Sequence, residues 1–464
     1  MPGLLAHREN ILEPETLRRA GVEMTLPDSL LACHRLGMGA RPGDCDAIAA
    51  DPHGALLRQL QAPHATPPRL QQLPTSASVV MQLLQSRGKG KTTRKTVRET
   101  HRLLYKKEAI ARTLTGIQTE HGFIERLVRF FSDVLTVSRT RIQCIGLVGS
   151  FEREIIRPQV RGSFADMLVA AMKHPAMLVY LDNLRSIGPD SIIGSRRGRG
   201  LNENLAREIL ELHTLGVGHY TQDDVLALSN ILTGWTLNED GLFAFSSERH
   251  QPGTQTVLGV RYPDTGQEQG EAALRALALH PATARRLSWR MARHFIADTP
   301  PPAVVDALQT AYTDSDGDLA VVAAALLRCK ATWRGTLVKL RRPDELIIAS
   351  VRALQPRQEQ SIEQQEALLT ALSELGQAPW SAPSPEGWPD TTANWLSGDA
   401  MLNRLRWSWT LSQQAPVGRM EPLARGESVL PSALSRSVLA AIKDAPDRQT
   451  ATALLLASPA FQRR

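Results

Sequence analysis

Apolar residues return every three to four positions along most of the chain, the period of helices buried on one side. Between residues 120 and 138, Phe123, Ile124, Leu127, Val128, Phe130, Phe131 and Val134 keep that spacing. They predict a core helix that is nearly apolar toward its end. Residues 202–214 carry the densest set of polar side chains on a helical pattern. At about 100° per residue, Asn204, Arg207, Glu208 and Glu211 share one narrow face. Leu205, Ala206, Ile209, Leu210 and Leu212 cover the opposite side, and His213 lands among the apolar residues. The polar stripe and the imidazole therefore point to different places. A site built on this helix needs partners from elsewhere in the chain.

Turn and cap residues mark where the helices begin and end. Gly37 and Gly39 end a short helix carrying His34 and Arg35, and Pro42, Gly43 and Asp44 turn the chain. Residues 62–80, rich in Pro, Ser and Thr, read as a loop. Residues 151–158 are extended or a short helix that Pro158 stops. Ser163 caps a helix, His174-Pro175 begins another, and His280-Pro281 starts one that reaches Phe295. Gly216 and Gly218 close the central helix, and Thr221 caps the next, with Gln222, Asp223 and Asp224 in its first turn. Phe243, Phe245 and residues 256–262 predict a small β-hairpin near residues 242–262, with Arg249 and His250 between its strands. Residues 356–374 are helical, and residues 377–392 form a loop of Pro, Trp and Gly.

The expected fold is mostly α and multi-helical, with that small hairpin. Composition shifts divide it into four parts. Residues 1–85 are an N-terminal helical segment with its Pro/Ser/Thr loop, and 86–117 are a basic segment. Residues 118–345 form a core around the central helix, and 346–464 a C-terminal helical region.

Composition narrows the functional classes. Hydrophobic residues make up 42% of the 464 and charged residues 22%, which is globular rather than disordered. No apolar run reaches the length of a membrane span. Cys33, Cys45, Cys144 and Cys329 have neither metal-finger nor disulfide-framework spacing. The first fifteen residues contain Glu9, Glu13 and Glu15 and no apolar stretch of the kind a secretory signal carries. The expected location is therefore cytoplasmic. The net charge of +7 permits an acidic partner without requiring one. Residues 86–112 concentrate the basic charge, from Arg87 to Arg112. Tyr105 is their one aromatic residue, so base stacking has little support there and a nucleic-acid partner is not expected. A second basic stretch, Arg196, Arg197 and Arg199, lies among glycines and suits an oxyanion.

Two readings of the central helix remain open. In the first, Asn183, Asn202, Asn204 and Arg207 belong to a buried polar network, and the chain is an accessory or assembly protein. In the second, the chain is a hydrolase-type enzyme. Glu208, Glu211 and His213 would then be catalytic, and a divalent metal would be held by Asp182, Glu208, Asp223 and His250. Glu211 and His213 do not have the HExxH spacing, and no nucleophile elbow, P-loop or dinucleotide fingerprint occurs. A third reading, anion or nucleic-acid binding, rests on the two basic stretches.

The string Gly200-Leu-Asn-Glu-Asn-Leu-Ala-Arg-Glu-Ile-Leu-Glu-Leu-His-Thr-Leu-Gly-Val217 resembles the bacterial domain-of-unknown-function family 1800 (DUF1800). His34-Arg35, Ile156-Arg-Pro158, His174-Pro-Ala-Met-Leu178, Tyr180-Leu-Asp-Asn183, Tyr220-Thr-Gln-Asp-Asp-Val225 and His280-Pro-Ala-Thr-Ala284 extend the likeness over most of the chain. The resemblance implies a mostly α-helical protein, a sulfatase-like partner from a second family, and export for many relatives. Two departures bear on activity. Where members read Phe-Trp-Ser-Asn-His-Phe, this chain has Phe130-Phe-Ser-Asp-Val-Leu135, with Val134 in place of the histidine. In the hairpin, His250 and Gly253 remain, but Gln251 and Gln255 replace an acid and a lysine.

Overall fold

The computed structural model describes residues 26–63, 66–197, 200–354, 360–414 and 420–464. Helices carry most of it, as the apolar spacing predicts, and the paired strands lie between residues 235 and 262. Among the described residues, no helix is long and apolar enough to cross a membrane.

Local side-chain chemistry sets the helix ends. The Thr221 hydroxyl accepts the Asp224 N–H while the Asp224 carboxylate accepts the Thr221 N–H, a reciprocal box that starts helix Gln222–Ile231. His174 and His280 do the same work with an imidazole. Each precedes a proline, and its Nδ1 accepts the N–H of Ala176 or Ala282 at 3.1 Å. Proline suits the first helical position because its missing N–H has no partner there anyway. Residues 62–80, expected as a loop, hold the turn Pro68–Gln71 and the start of helix Ser76–Ser86. The Thr75 hydroxyl accepts the Ser78 N–H, so a residue suited to loops serves here as a cap. Helical structure also passes Pro158. Val148–Phe151 leads through the π-helical turn Glu152–Ile156 into Arg157–Gln159, and the π turn shifts the hydrogen-bond ladder where proline cannot donate.

The β structure falls where the alternation placed it and is divided in two. Strand β1 (Trp235–Leu237) pairs antiparallel with β2 (Phe243–Phe245), and β3 (Gln255–Val257) with β4 (Val260–Tyr262). Leu258 and Gly259 both take positive φ, 50° and 76°, which makes the tight turn of the second pair. The residues around His250 therefore join two hairpins instead of closing one.

One apolar cluster runs from Leu26 to Phe461. At its centre is helix Gly122–Val134, whose Glu125, Arg126 and Arg129 are as buried as its apolar residues. Glu125 receives both arms of the Arg157 guanidinium, at 2.7 and 3.1 Å. Arg126 lies 2.9 Å from Glu345, and Arg129 3.0 Å from Asp344. Glu345 also holds Arg464 at 2.7 Å. Charges taken out of water this far are tolerated only with partners. These pairs join residues far apart in the chain into one buried frame.

Candidate anion-binding site

The central helix starts as Asn204–Glu208 and widens into the π-helical turn Ile209–His213. Beyond Glu208 the spacing of 100° per residue no longer holds, because the π turn bonds i to i+5. Arg207 donates to Glu203 at 2.8 Å and to Gln222 at 3.0 Å. Asn202 accepts the Asn204 N–H at 3.0 Å, and Asn204 itself is exposed. Asn183 is buried elsewhere, donating to the carbonyls of Leu232 and Trp235 at 3.1 and 3.3 Å.

Glu208 and Glu211 are electrostatic neighbours. Burial first, and then the Glu211 charge, raise the Glu208 carboxyl above its ordinary value. Tyr220 donates to Glu211 at 2.9 Å. His213 points away from this pair into the core, with its Nδ1 2.9 Å from the Val134 carbonyl. A carbonyl only accepts, so Nδ1 carries the proton. Burial pushes the imidazole down to about 4, which keeps it neutral at pH 7. Its Nε2 is enclosed without a partner. The three residues expected to be catalytic are thus split between two environments.

The four expected metal ligands are dispersed. Asp182 sits at a left-handed backbone position, φ 60°, paired with Arg141. Glu208 lies with Glu211. Asp223 is exposed at the start of helix Gln222–Ile231. His250 Nδ1 meets the Thr233 carbonyl at 3.0 Å, and its Nε2 lies 3.5 Å from Asp264. Among the described residues, no group of three or more His, Cys, Asp and Glu side chains converges as a metal site requires. Each of the four answers to its own turn, cap or helix. Of the expected anion-binding arginines, Arg196 is exposed in helix Ile192–Arg197. Arg199 and the side chain of Arg197 lie outside the described residues.

A different cluster forms beside the end of the central helix. Arg286 Nε lies 3.4 Å from the Leu212 carbonyl. Gly216 takes φ +91°, and a Cβ there would stand 3.1 Å from Arg286 Nη1. On helix Pro281–Phe295, Arg286, Trp289, Arg290 and Arg293 follow at i, i+3, i+4 and i+7, which places them on one face. With Glu386, Trp388 and Asp390 of the facing loop they line a cavity of about 480 Å³, within the range of small-molecule sites.

The cavity is electropositive. None of the three arginines forms a salt bridge among the described residues. Arg290 reaches only two carbonyls, those of Asp133 and Glu386, at 3.3 and 3.4 Å. The Arg293 guanidinium lies 4.7 Å from the Trp289 ring centroid, and its Nε is buried without a partner. Burial disfavours the charge on both Arg286 and Arg290 and Arg286 opposes Arg290 further, against weaker support from the carboxylates of Glu386 and Glu211 for Arg286 and of Asp133, Asp390 and Glu386 for Arg290. Of the two acids, Asp390 is engaged by His294 at 3.4 Å and Lys339 at 3.6 Å. Glu386 is exposed. An entering oxyanion would meet forked N–H donors and relieve the mutual repulsion of the arginines. The indole faces suit a flat or ring-shaped body attached to it.

The apolar spacing places this helix and its Trp-bearing loop but not the cavity between them. A signal is present in the i, i+3, i+4, i+7 repeat of Arg and Trp. Nothing in the spacing says that residues 383–394 lie opposite.

The model of one family, described as a protein of unknown function (DUF1800), matches residues 31–463. Neither a curated protein nor a solved structure matches the chain.

Proposed function

This chain belongs to the DUF1800 family, and from that premise we propose that it is a helical accessory protein that binds an anionic ligand non-covalently. The ligand occupies the cavity of Arg286, Trp289, Arg290, Arg293 and Trp388. The carrying observation is that three arginines face one 480 Å³ cavity and form no salt bridge among the described residues, although Glu386 and Asp390 also line it. The buried ion-pair frame supports this reading because it holds helix Pro281–Phe295 in place through Arg464, which donates to the His294 carbonyl at 2.6 Å.

The test is titration of the purified chain with inorganic phosphate, sulfate, a sugar phosphate and a nucleoside monophosphate, followed by tryptophan fluorescence and calorimetry. At least one ring-bearing anion is expected to bind and to change the emission of Trp289 and Trp388. Arg290→Ala is expected to weaken that binding about tenfold or more, the size of a missing charge-assisted hydrogen bond. Folding is checked by circular dichroism. Absence of binding by every anion, or an unchanged affinity in folded Arg290→Ala, would refute the proposal.

A further inference from the structure

Helix Lys91–Gln118 differs from the rest of the molecule in how little of its first half is buried. From residue 87 to residue 100 every side chain is exposed except Val97, which is half-buried. At about 100° per residue, Lys91, Arg94, Lys95, Arg98, Arg102 and Lys106 fall within about 120° of one another. They form one cationic stripe about 22 Å long at 1.5 Å per residue. Its one ion pair among the described residues is Lys95 with Glu99, at 3.9 Å. The stripe lies far along the chain from the arginines of the cavity and shares none of its lining.

We infer that this stripe is a docking surface for the phosphate backbone of a nucleic-acid duplex. Charge complementarity selects a polyanion, and the rest of the surface selects which one. Beside the cations stand Thr92, Thr93, Thr96 and Thr100, and the exposed apolar side chain along the stripe is Leu103, so the helix lacks the broad apolar face that entering a bilayer requires. Within residues 87–100 there is no aromatic side chain on which the bases of a single strand would stack. An exposed α-helix about 10–12 Å across matches the major groove, about 12 Å wide. Such a helix holds phosphates and reads no base sequence through them. From the sequence, nucleic acid is not expected for want of stacking residues, but a duplex backbone does not need them.

The experiment is fluorescence anisotropy of a dye-labelled duplex DNA of about two helical turns, with the full chain, between about 50 and 200 mM salt. Binding is expected to weaken steeply with salt. The triple variant Arg94→Glu, Arg98→Glu, Arg102→Glu is expected to lower affinity at least tenfold. Its log–log salt slope should fall by about 3, close to 0.9 for each phosphate no longer neutralised. The matching triple replacement by lysine keeps most of the binding. Arg290→Ala keeps all of it, which separates this result from the fate of the cavity proposal. Three outcomes would overturn the inference: no duplex binding by the native chain, an unchanged slope in the glutamate variant, or tighter binding to heparin or to vesicles of anionic lipid than to the duplex.

Discussion

Glu152 shows how a single carboxylate is kept charged in the interior. Arg112 Nε donates to it at 2.7 Å, Ser132 at 2.9 Å, Trp380 Nε1 at 3.1 Å and Arg157 at 3.4 Å. Burial opposes ionisation, but Arg112, Arg157 and Arg129 outweigh it and bring the carboxyl down to about 2 from an ordinary 4.5. Because the folded value is depressed, the stabilisation is fully present above pH 4.5 and is lost as pH falls toward 2. Such a shift corresponds to about 3 kcal/mol. Urea denaturation of the native chain should show stability declining across that window, and Glu152→Gln should flatten the decline. At neutral pH, Glu152→Ala leaves Arg112 and Arg157 without this acceptor and is expected to cost roughly 3–5 kcal/mol. None of this is legible in the sequence, where Glu152 is one acid in an Arg/Glu run. A residue's type gives its charge, while burial and partners give its energy.

The elements are more legible than their chemistry. The His-Pro-Ala strings at 174 and 280 predict helix starts, and helices begin there. They also belong to the family likeness. The structure assigns their Nδ1 atoms to capping. His280→Ala is therefore expected to lower stability by about 0.5–2 kcal/mol, the range for removing a cap. His280→Ser, which keeps an acceptor, should recover most of it, and ligand titrations should be unchanged in both. A drop in anion affinity without a change in melting temperature would contradict the capping role. The π turn Ile209–His213 is not legible, because its apolar and polar order is equally compatible with an α-helix. The division of the β segment into two hairpins turns on Leu258, a residue with no special preference for the positive φ it adopts.

Across the whole molecule, residues far apart in the described chain meet in one frame. Arg464 pairs with Glu345, which also holds Arg126, and its backbone exchanges hydrogen bonds with Lys339 at 2.8 and 3.2 Å. Arg464→Ala is expected to cost roughly 3–5 kcal/mol, because it leaves Glu345 buried with less cationic support. A fall in the midpoint of chemical denaturation measures it, and a change within about 0.5 kcal/mol, typical of surface sites, would remove Arg464 from the frame. The sequence by itself determined the helical class, the helix starts at Ser163, His174, Thr221 and His280, the place of the β segment and the basic run. Those features rest on spacing and on caps within a few residues, where local sterics and hydrogen bonding decide. Only the tertiary structure decided that Arg286, Arg290 and Arg293 face a tryptophan loop about a hundred residues later and, among the described residues, form no salt bridge with its two acids. It also decided that His213 turns into the core, away from Glu208 and Glu211. Which charge neutralises which depends on how the helices pack, and pairs so far apart along the chain leave no trace in its periodicity.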